Sequence, residues 1–170
     1  MSSTDPSEPL RVGISRCSRS SSSPTEAALP VIVYFHGGGF TVGSSEDCDF
    51  VARKLAFTNN AVVVSANYRS APEFVFPVPF DDAFDIYTWV VEHGAQLGGD
   101  TAHLVVAGDS AGSNFAAAIP LRARADGVRV PDATVMLGAF ADFQFERWPS
   151  FRELAPRGIV YDMAFAGFIR

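Results

Sequence analysis

The chain has 170 residues, of which 48% are hydrophobic, so it is long and apolar enough to bury one hydrophobic core. Its formal net charge of −6 argues against nucleic acids and anionic membranes as partners, because both require basic surface patches. Its two cysteines, Cys17 and Cys48, give neither a disulfide framework nor the spacing of metal ligands, so we expect reduced thiols and no bound metal.

The N-terminal segment, residues 1–29, is predicted to be a disordered lead that contains one short strand. Residues 1–9 are polar and lack the apolar core of a signal peptide. Residues 10–15 alternate weakly and predict an edge strand, whereas the serine-rich residues 18–25 indicate a loop or linker. No apolar run in the chain approaches the length of a membrane span, so cytosolic residence is the default expectation.

An apolar, β-branched run at residues 31–35 predicts a buried strand that ends in a glycine-rich motif. The motif, HGGGF, contains His36, Gly37, Gly38 and Gly39. Successive glycines let main-chain N–H groups approach the oxyanion that forms during acyl transfer, as in HGGG-type oxyanion loops. A phosphate-binding loop is the alternative, but such loops have a different glycine spacing and a lysine that is absent here.

A helix and a buried strand are predicted to follow this motif. Ser44 or Ser45 is expected to cap the helix, with acidic residues in the first turn, where they suit the positive end of the helix dipole. The pair of asparagines at 59–60 is expected to end the helix. The apolar residues 61–66 predict the next strand.

An irregular segment and an amphipathic helix come next. Three prolines between residues 70 and 79 exclude regular structure, and the apolar spacing that follows indicates a helix. Arg69 precedes this segment, and we expect it to brace the fold rather than to clamp a substrate anion. Asp81 and Asp82 are adjacent and therefore point in different directions, which excludes a paired-carboxylate acid–base site.

The stretch Gly108-Asp109-Ser110-Ala111-Gly112 fits the G-x-S-x-G pattern of a nucleophile elbow. Residues 104–107 predict a buried parallel strand before it, and residues 111–125 predict a helix after it, bent at Pro120. The two glycines would let the strand and the helix approach closely. The pattern predicts Ser110 as a nucleophile, and the alternative is an ordinary strand–helix junction with a capping serine.

The two motifs together indicate acyl-transfer chemistry, because each follows a predicted strand and they occur in the order that this chemistry uses. The N–H groups of Gly38, Gly39 and Ala111 are the predicted oxyanion hole. The remaining residues of the two motifs are expected to support the site; they are His36, Gly37, Gly108, Asp109 and Gly112.

Four ordered motifs make the chain resemble the hormone-sensitive-lipase-like branch of the α/β-hydrolases. They are HGGGF at 36–40, NYRSAPE at 67–73, FDDA at 80–83 and GDSAG at 108–112. Within this branch the chain is similar to plant carboxylesterases of the gibberellin-receptor-like group, over residues 30–170. The resemblance implies an α/β fold with a mostly parallel sheet and helices on both faces. It also implies hydrolysis of small carboxylic esters through Ser110, without a cofactor.

The residues after the elbow helix predict a last strand at 133–139. Asp142 follows it, but the family places its catalytic acid one strand later, so we expect a structural role for this side chain. Residues 158–170 resemble the start of the family's cap region. A sheet that ends at 133–139 would leave an apolar edge unpaired, which predicts poor solubility or self-association.

The general base that a serine nucleophile needs is not found where the fold expects it. Nucleophile, acid and histidine follow one another along such chains, but His36, His93 and His103 all precede Ser110. Solvated or capping roles are expected for the latter two histidines. Because family members are also longer, we expect a truncated esterase that is inactive as it stands. The alternative is a non-catalytic binder of small molecules such as gibberellin-like hormones.

Overall fold

The computed structural model describes residues 12–16, 28–139 and 142–158, and the chain divides into two compact units, residues 1–139 and 140–170. Among the described residues, the first unit contains the sheet, three α-helices and one 3₁₀ turn, Gly94–Leu97. Its strands and α-helices are β1 (Val12–Arg16), β2 (Leu29–Phe35), α1 (Asp49–Asn59), β3 (Val62–Ala66), α2 (Val78–His93), β4 (Gly99–Asp109), α3 (Ala111–Asp126) and β5 (Ala133–Leu137). The second contains α4 (Pro149–Leu154) between two 3₁₀ turns, Phe145–Arg147 and Ala155–Arg157.

Several sequence predictions fall outside the described residues. They concern the lead at 1–9, the linker at 18–25, the thiol of Cys17 and most of the segment 158–170. The domain boundaries predicted at residues 29 and 30 also stay a prediction. In the part of the chain that is described, no helix has both the length and the apolar content needed to cross a membrane.

The described strands form one sheet in the order β1-β3-β2-β4-β5, in which β1 is antiparallel to its neighbour and the other pairs are parallel. The predicted α/β fold with a mostly parallel sheet is therefore confirmed. Strand β4 is longer than the predicted 104–107. It begins at Gly99 because Gly99 and Asp100 pair with the first residues of β2, and the register then shifts before Leu104.

Helices cover both faces of the sheet, as the alternating side chains of the central strands require. On one face, Val33 and Phe35 of β2 pack in a cluster with Tyr87 of α2 and Ile119 of α3. On the other face, alternate residues of the same strands, with Tyr34 among them, pack against the small side chains of α1. The central strands are thus buried on both sides, which explains why they are almost wholly apolar.

The ends of α3 match the prediction to within one residue, but the starts of α1 and α2 do not. Helix α2 begins at Val78 and has Pro79 in its first turn, so regular structure starts inside the segment from which the prolines were expected to exclude it. The prediction that Ser44 or Ser45 caps α1 is wrong, because α1 begins at Asp49 and its N-cap is Cys48, without a side-chain hydrogen bond. Ser44 instead closes a preceding turn, in which its Oγ accepts a hydrogen bond from the N–H of Asp47 at 3.2 Å. Asn60 ends α1 in the left-handed conformation, as expected of asparagine. Helix α3 continues through Pro120.

Arg69 braces the segment that follows β3, as the sequence predicted. Asp82 on α2, only 2% exposed, accepts hydrogen bonds from Arg69 Nε at 2.9 Å and Nη2 at 2.7 Å. It also accepts the main-chain N–H of Arg69 at 2.9 Å. The guanidinium lies over the ring of Phe74, 4.9 Å from its centroid. One buried carboxylate therefore joins the irregular segment to α2 through three charge-assisted hydrogen bonds.

Replacing Asp82 by Ala should destabilise the fold by about 2–4 kcal/mol, because it leaves the Arg69 guanidinium and N–H without their partner. Urea denaturation followed by circular dichroism measures this loss. Asp85→Ala is the matched control, since Asp85 lies on the exposed side of the same helix. A free energy of unfolding that changes equally in the two variants would contradict the bracing role.

Candidate active site

The two sequence motifs meet because β2 and β4 are neighbouring parallel strands. Phe35, the last residue of β2, pairs with Gly108 near the end of β4. Parallel strands end at the same edge of a sheet, so the loop after β2 and the turn after β4 begin side by side. A Cβ atom built on Gly37 would lie 3.0 Å from Ser110 Cβ, which shows how closely the glycine-rich loop approaches the elbow serine.

Ser110 sits in a strained turn between β4 and α3. Its φ of 49° and ψ of −117° place a non-glycine residue in a sparsely populated conformation, which costs about 1–3 kcal/mol. The predicted close approach of strand and helix is present, since a Cβ on Gly112 would lie 2.1 Å from the carbonyl oxygen of Phe35. A Cβ on Gly108 would likewise lie 2.4 Å from the main chain of Gly112.

The end of β5 holds the elbow from the side opposite β2. The N–H of Ser110 donates to the carbonyl oxygen of Leu137 at 2.8 Å. The buried hydroxyl of Ser113 lies 2.8 Å from the carbonyl oxygen of Gly108 and 3.0 Å from that of Leu137, and it accepts the N–H of Leu137 at 3.1 Å. These hydrogen bonds offset the cost of the strained serine, at about 1 kcal/mol each.

The glycine-rich loop presents its main-chain amides through anchored carbonyl groups. The Gly37 oxygen lies 2.7 Å from His36 Nδ1, and the Gly38 oxygen accepts the N–H groups of Thr41 and Val42, each at 3.1 Å. In a trans peptide the N–H points away from the carbonyl, so the N–H groups of Gly38 and Gly39 point away from these anchors. Among the described residues, no acceptor takes either of these N–H groups or that of Ala111.

Only glycine fits the centre of this loop. Gly38 has a φ of +120°, a conformation that side chains rarely allow. A Cβ on Gly38 would also lie 1.9 Å from the carbonyl oxygen of Val42. The loop thus needs glycine for its backbone conformation and for space, which matches the physical reason that the sequence motif suggested.

His36 supports the loop as a neutral ring. Its Nδ1 must carry the proton, because the Gly37 oxygen beside it can only accept a hydrogen bond. The ring stacks on Tyr68 at a centroid distance of 4.4 Å, and the Tyr68 hydroxyl donates to the His36 carbonyl at 2.8 Å. Burial lowers the pKa of His36, and its Nε2 is buried without a hydrogen-bond partner among the described residues. Deep in the loop, this imidazole stays uncharged.

The other two histidines are engaged away from the elbow serine. His93 Nδ1 bonds to the carbonyl oxygen of Trp89 at 3.0 Å, and its ring stacks on the indole. His103, 74% exposed, pairs with Asp100 at 2.8 Å. Asp142, in the second unit, accepts the N–H of Gln144 at 2.8 Å. Over the described ranges, no group of three or more His, Cys, Asp or Glu side chains could hold a metal ion.

Three supporting side chains were not predicted as site residues, although one of them, Tyr68, lies within the NYRSAPE motif. Tyr34 lies within β2, Tyr68 follows β3, and Ser113 lies in the first turn of α3. In the sequence, Tyr34 is one more bulky residue of a buried strand and Ser113 is an ordinary helical serine. Each of them has a partner 24 to 75 residues away, and no local sequence pattern predicts such a contact.

Comparison with known proteins identifies the family. A family profile described as alpha/beta hydrolase fold matches residues 32–165. The chain belongs to the alpha/beta hydrolases. The esterase of the archaeon Pyrobaculum calidifontis, a solved structure of this fold, superposes with a TM-score of 0.83 and 36% identity, covering 95% of this chain and 51% of the other.

Curated relatives place this alpha/beta hydrolase chain beside the branch that the motifs resemble. Esterase LipI of Mycobacterium tuberculosis is 41% identical over 86% of this chain and 46% of its own. Human hormone-sensitive lipase is 41% identical over 60% of this chain and 10% of its own. The gibberellin receptor of Oryza sativa is 38% identical over 64% of this chain and 32% of its own. The chain spans about half the length of LipI and of the archaeal esterase.

Replacing His36 by Gln should remove a pH-dependent part of the stability of this hydrolase domain. Because burial lowers the folded-state pKa below the ordinary 6.5, the unfolded chain binds a proton that the folded chain does not. The free energy of unfolding should therefore fall as pH drops below 6.5 until the folded-state pKa is reached. The slope of the free energy of unfolding against pH should be steeper in the wild type than in His36→Gln, by up to about 1.4 kcal/mol per pH unit.

Urea denaturation at a series of pH values between about pH 8 and about pH 5 measures these slopes. His103→Gln is the matched control, because its side chain is 74% exposed, and it should keep the wild-type slope. Equal slopes for the wild type and His36→Gln would show that the imidazole is not held neutral.

Proposed function

We propose that this chain carries the nucleophile and the oxyanion hole of a carboxylesterase that acts on small carboxylic esters. The main observation that supports this proposal is the close approach of the glycine-rich loop to the elbow, where a Cβ built on Gly37 would lie only 3.0 Å from Ser110 Cβ. Relatives named as esterases support ester hydrolysis as the reaction class. The proposed partner is thus a small-molecule ester, and no cofactor takes part. A cytosolic location stays a prediction from the sequence.

In the proposed acylation, Ser110 Oγ forms a bond to the ester carbonyl carbon, and the carbonyl oxygen takes up negative charge. The N–H groups of Gly38, Gly39 and Ala111 donate to this oxygen. Ala111 is the first residue of α3, where the N–H has no acceptor inside the helix and the dipole favours an anion. The C–O bond then breaks, and the alcohol leaves with the proton that the serine lost. Water hydrolyses the acyl-serine, which releases the acid and restores the hydroxyl.

Proton transfer in both steps needs a base, and we propose that these 170 residues supply none beside Ser110. The His36 ring is buried with its Nδ1 proton directed at Gly37, and the remaining histidines are bonded to Trp89 and Asp100. Without a base, the oxyanion hole and substrate binding alone give about 10³–10⁴-fold over water. The chain by itself should therefore hydrolyse esters only weakly.

Added imidazole should accelerate the weak hydrolysis of a p-nitrophenyl ester by the 170-residue chain, because it replaces the base that the serine lacks. The rate above the imidazole background, measured with Ser110→Ala as reference, should rise by about tenfold or more. A fluorophosphonate probe should label native Ser110 and fail to label the urea-unfolded chain.

Ser44→Ala is the matched control, since Ser44 lies on an exposed turn outside the elbow. It should leave both the rescued rate and the labelling unchanged. Labelling that persists in Ser110→Ala or in urea would contradict the assignment of the nucleophile.

The second candidate function is small-molecule binding without turnover, of the gibberellin-like hormone class. Its support is the 38% identity to the gibberellin receptor of Oryza sativa over 64% of this chain. A radiolabelled gibberellin separates the two functions. The binding function is favoured if the hormone binds saturably to both the wild type and Ser110→Ala and the fluorophosphonate probe does not label the wild type. Ser110-dependent labelling without hormone binding favours the esterase.

We also propose self-association through β5. Within the described sheet, β5 pairs only with β4, so its other edge presents unpaired N–H and C=O groups. Its five residues are all exposed, with Val135 at 44% and both Met136 and Leu137 at 51%. The strand carries no charged side chain that would oppose pairing with a second copy.

Val135→Lys should reduce this association at least about tenfold in dissociation constant, since like charges that face each other oppose pairing. Val135 is the central residue of β5, so in a two-fold antiparallel pair it would lie opposite its own copy. Analytical ultracentrifugation across a concentration series measures the constant. Leu121→Lys, which replaces a 71% exposed residue on α3, is the matched control. A wild-type chain that stays monomeric at all concentrations would contradict the proposal.

A further inference from the structure

The carboxylate of Asp109 lies between the elbow and the glycine-rich loop. Its Oδ1 accepts the main-chain N–H of Gly37 at 3.0 Å and the hydroxyl of Tyr34 at 2.6 Å. Asp109 directly precedes Ser110, and Gly37 directly precedes the predicted amide donor Gly38. One oxygen atom therefore joins the residue before the nucleophile to the residue before the oxyanion hole.

We propose that Asp109 is a positioning residue that holds the oxyanion loop against the elbow through its Oδ1 acceptor. The inference rests on the proposed esterase function for its catalytic meaning. Asp109 fixes the loop before the donor amides, and the Gly38 carbonyl, bonded to the N–H groups of Thr41 and Val42, fixes the peptide unit that carries the Gly39 N–H. The Gly38 amide thus lies between two anchored points of the main chain, and the Gly39 amide belongs to the second of them.

The carboxylate is itself held by a rigid partner. Tyr34 belongs to β2, is only 1% exposed, and has its ring in the core between the sheet and α1. Burial, together with the hydrogen bond and the negative charge of Asp109, raises the pKa of Tyr34, so its hydroxyl stays protonated and donates. The acceptor that holds the loop is therefore oriented by the sheet rather than by solvent.

The Asp109 carboxylate packs tightly against the glycine-rich loop. A Cβ on Gly37 would lie 2.4 Å from Asp109 Oδ2, so the glycine main chain lies directly against the second carboxylate oxygen. The hydrogen bonds span 72 and 75 residues of sequence and so join the ends of separate strands. A contact of this kind limits how far the loop can move from the nucleophile.

The acceptor role predicts different results for the isosteric and the truncated variant. Asp109→Ala removes Oδ1 and should raise the hydrogen-exchange rate of the Gly37 amide, read in the peptide that covers residues 36–40, by about tenfold or more, as expected for the loss of a charge-assisted hydrogen bond. Asp109→Asn keeps an oxygen that can accept both hydrogen bonds, and should remain within about threefold of the wild type. Tyr34→Phe removes one of the two donors and should give an intermediate increase, about threefold.

Hydrogen-exchange mass spectrometry on the folded 170-residue chain measures these rates, and the fluorophosphonate labelling rate of Ser110 is recorded in parallel. Labelling should fall at least about tenfold in Asp109→Ala and recover in Asp109→Asn. Asp126→Ala, on an exposed residue at the end of α3, is the control and should change neither reading.

The two readings separate the inference from the proposed function. The positioning role is overturned if the exchange rate is unchanged in both Asp109→Ala and Tyr34→Phe. It is also overturned if the exchange rate rises at least tenfold in Asp109→Asn. Either result holds against the positioning role even if wild-type labelling supports the esterase. If Asp109→Ala does not fold, the Asn and Phe variants decide the question alone. Exchange that follows the prediction while wild-type Ser110 resists the probe supports the loop anchor and overturns the esterase.

Discussion

The parallel pairing of β2 with β4 is the constraint on which the candidate site depends. Because Phe35 lies opposite Gly108, the chain leaves both strands at the same edge of the sheet. A shift of one residue in this register would move one loop by about 3.3 Å relative to the other and turn its side chains to the other face. The near approach of Gly112 to the carbonyl oxygen of Phe35 then brings α3 down onto the end of β2.

The unusual backbone conformations at this edge are held by hydrogen bonds from elsewhere in the fold. Ser110 and the residues after Gly37 adopt positive φ angles, which an isolated segment would leave readily. Leu137 on β5 holds the elbow, and the paired carbonyl groups of the loop hold its amides. Strand β5 therefore has two roles: it forms an edge of the described sheet, and its last residue supports the turn that carries the nucleophile.

The fold stabilises its buried ionisable side chains in two different ways. Asp82 accepts hydrogen bonds from a guanidinium and a main-chain N–H. His36 has no such partner, and burial keeps its ring neutral, with one nitrogen serving as a donor to the loop. Both solutions follow from the cost of burying an unpaired charge. The first joins α2 to the segment after β3, and the second shapes the oxyanion loop.

The sequence by itself determined the order and type of the central elements. Strands of consecutive apolar residues and the elbow helix leave local patterns, so β2, β3, β4, β5 and α3 could be predicted, although β5 is exposed rather than buried. The glycines of both motifs have the steric reasons expected of them. The start of α1 was missed because Ser44 and Asp47 satisfy each other in a turn, and the early start of β4 was missed because it follows from pairing with β2. Only the tertiary structure decided the strand order, the partner of Asp82 and the double hydrogen bond of Asp109. These features depend on contacts between residues far apart in the chain, and no local pattern encodes such contacts.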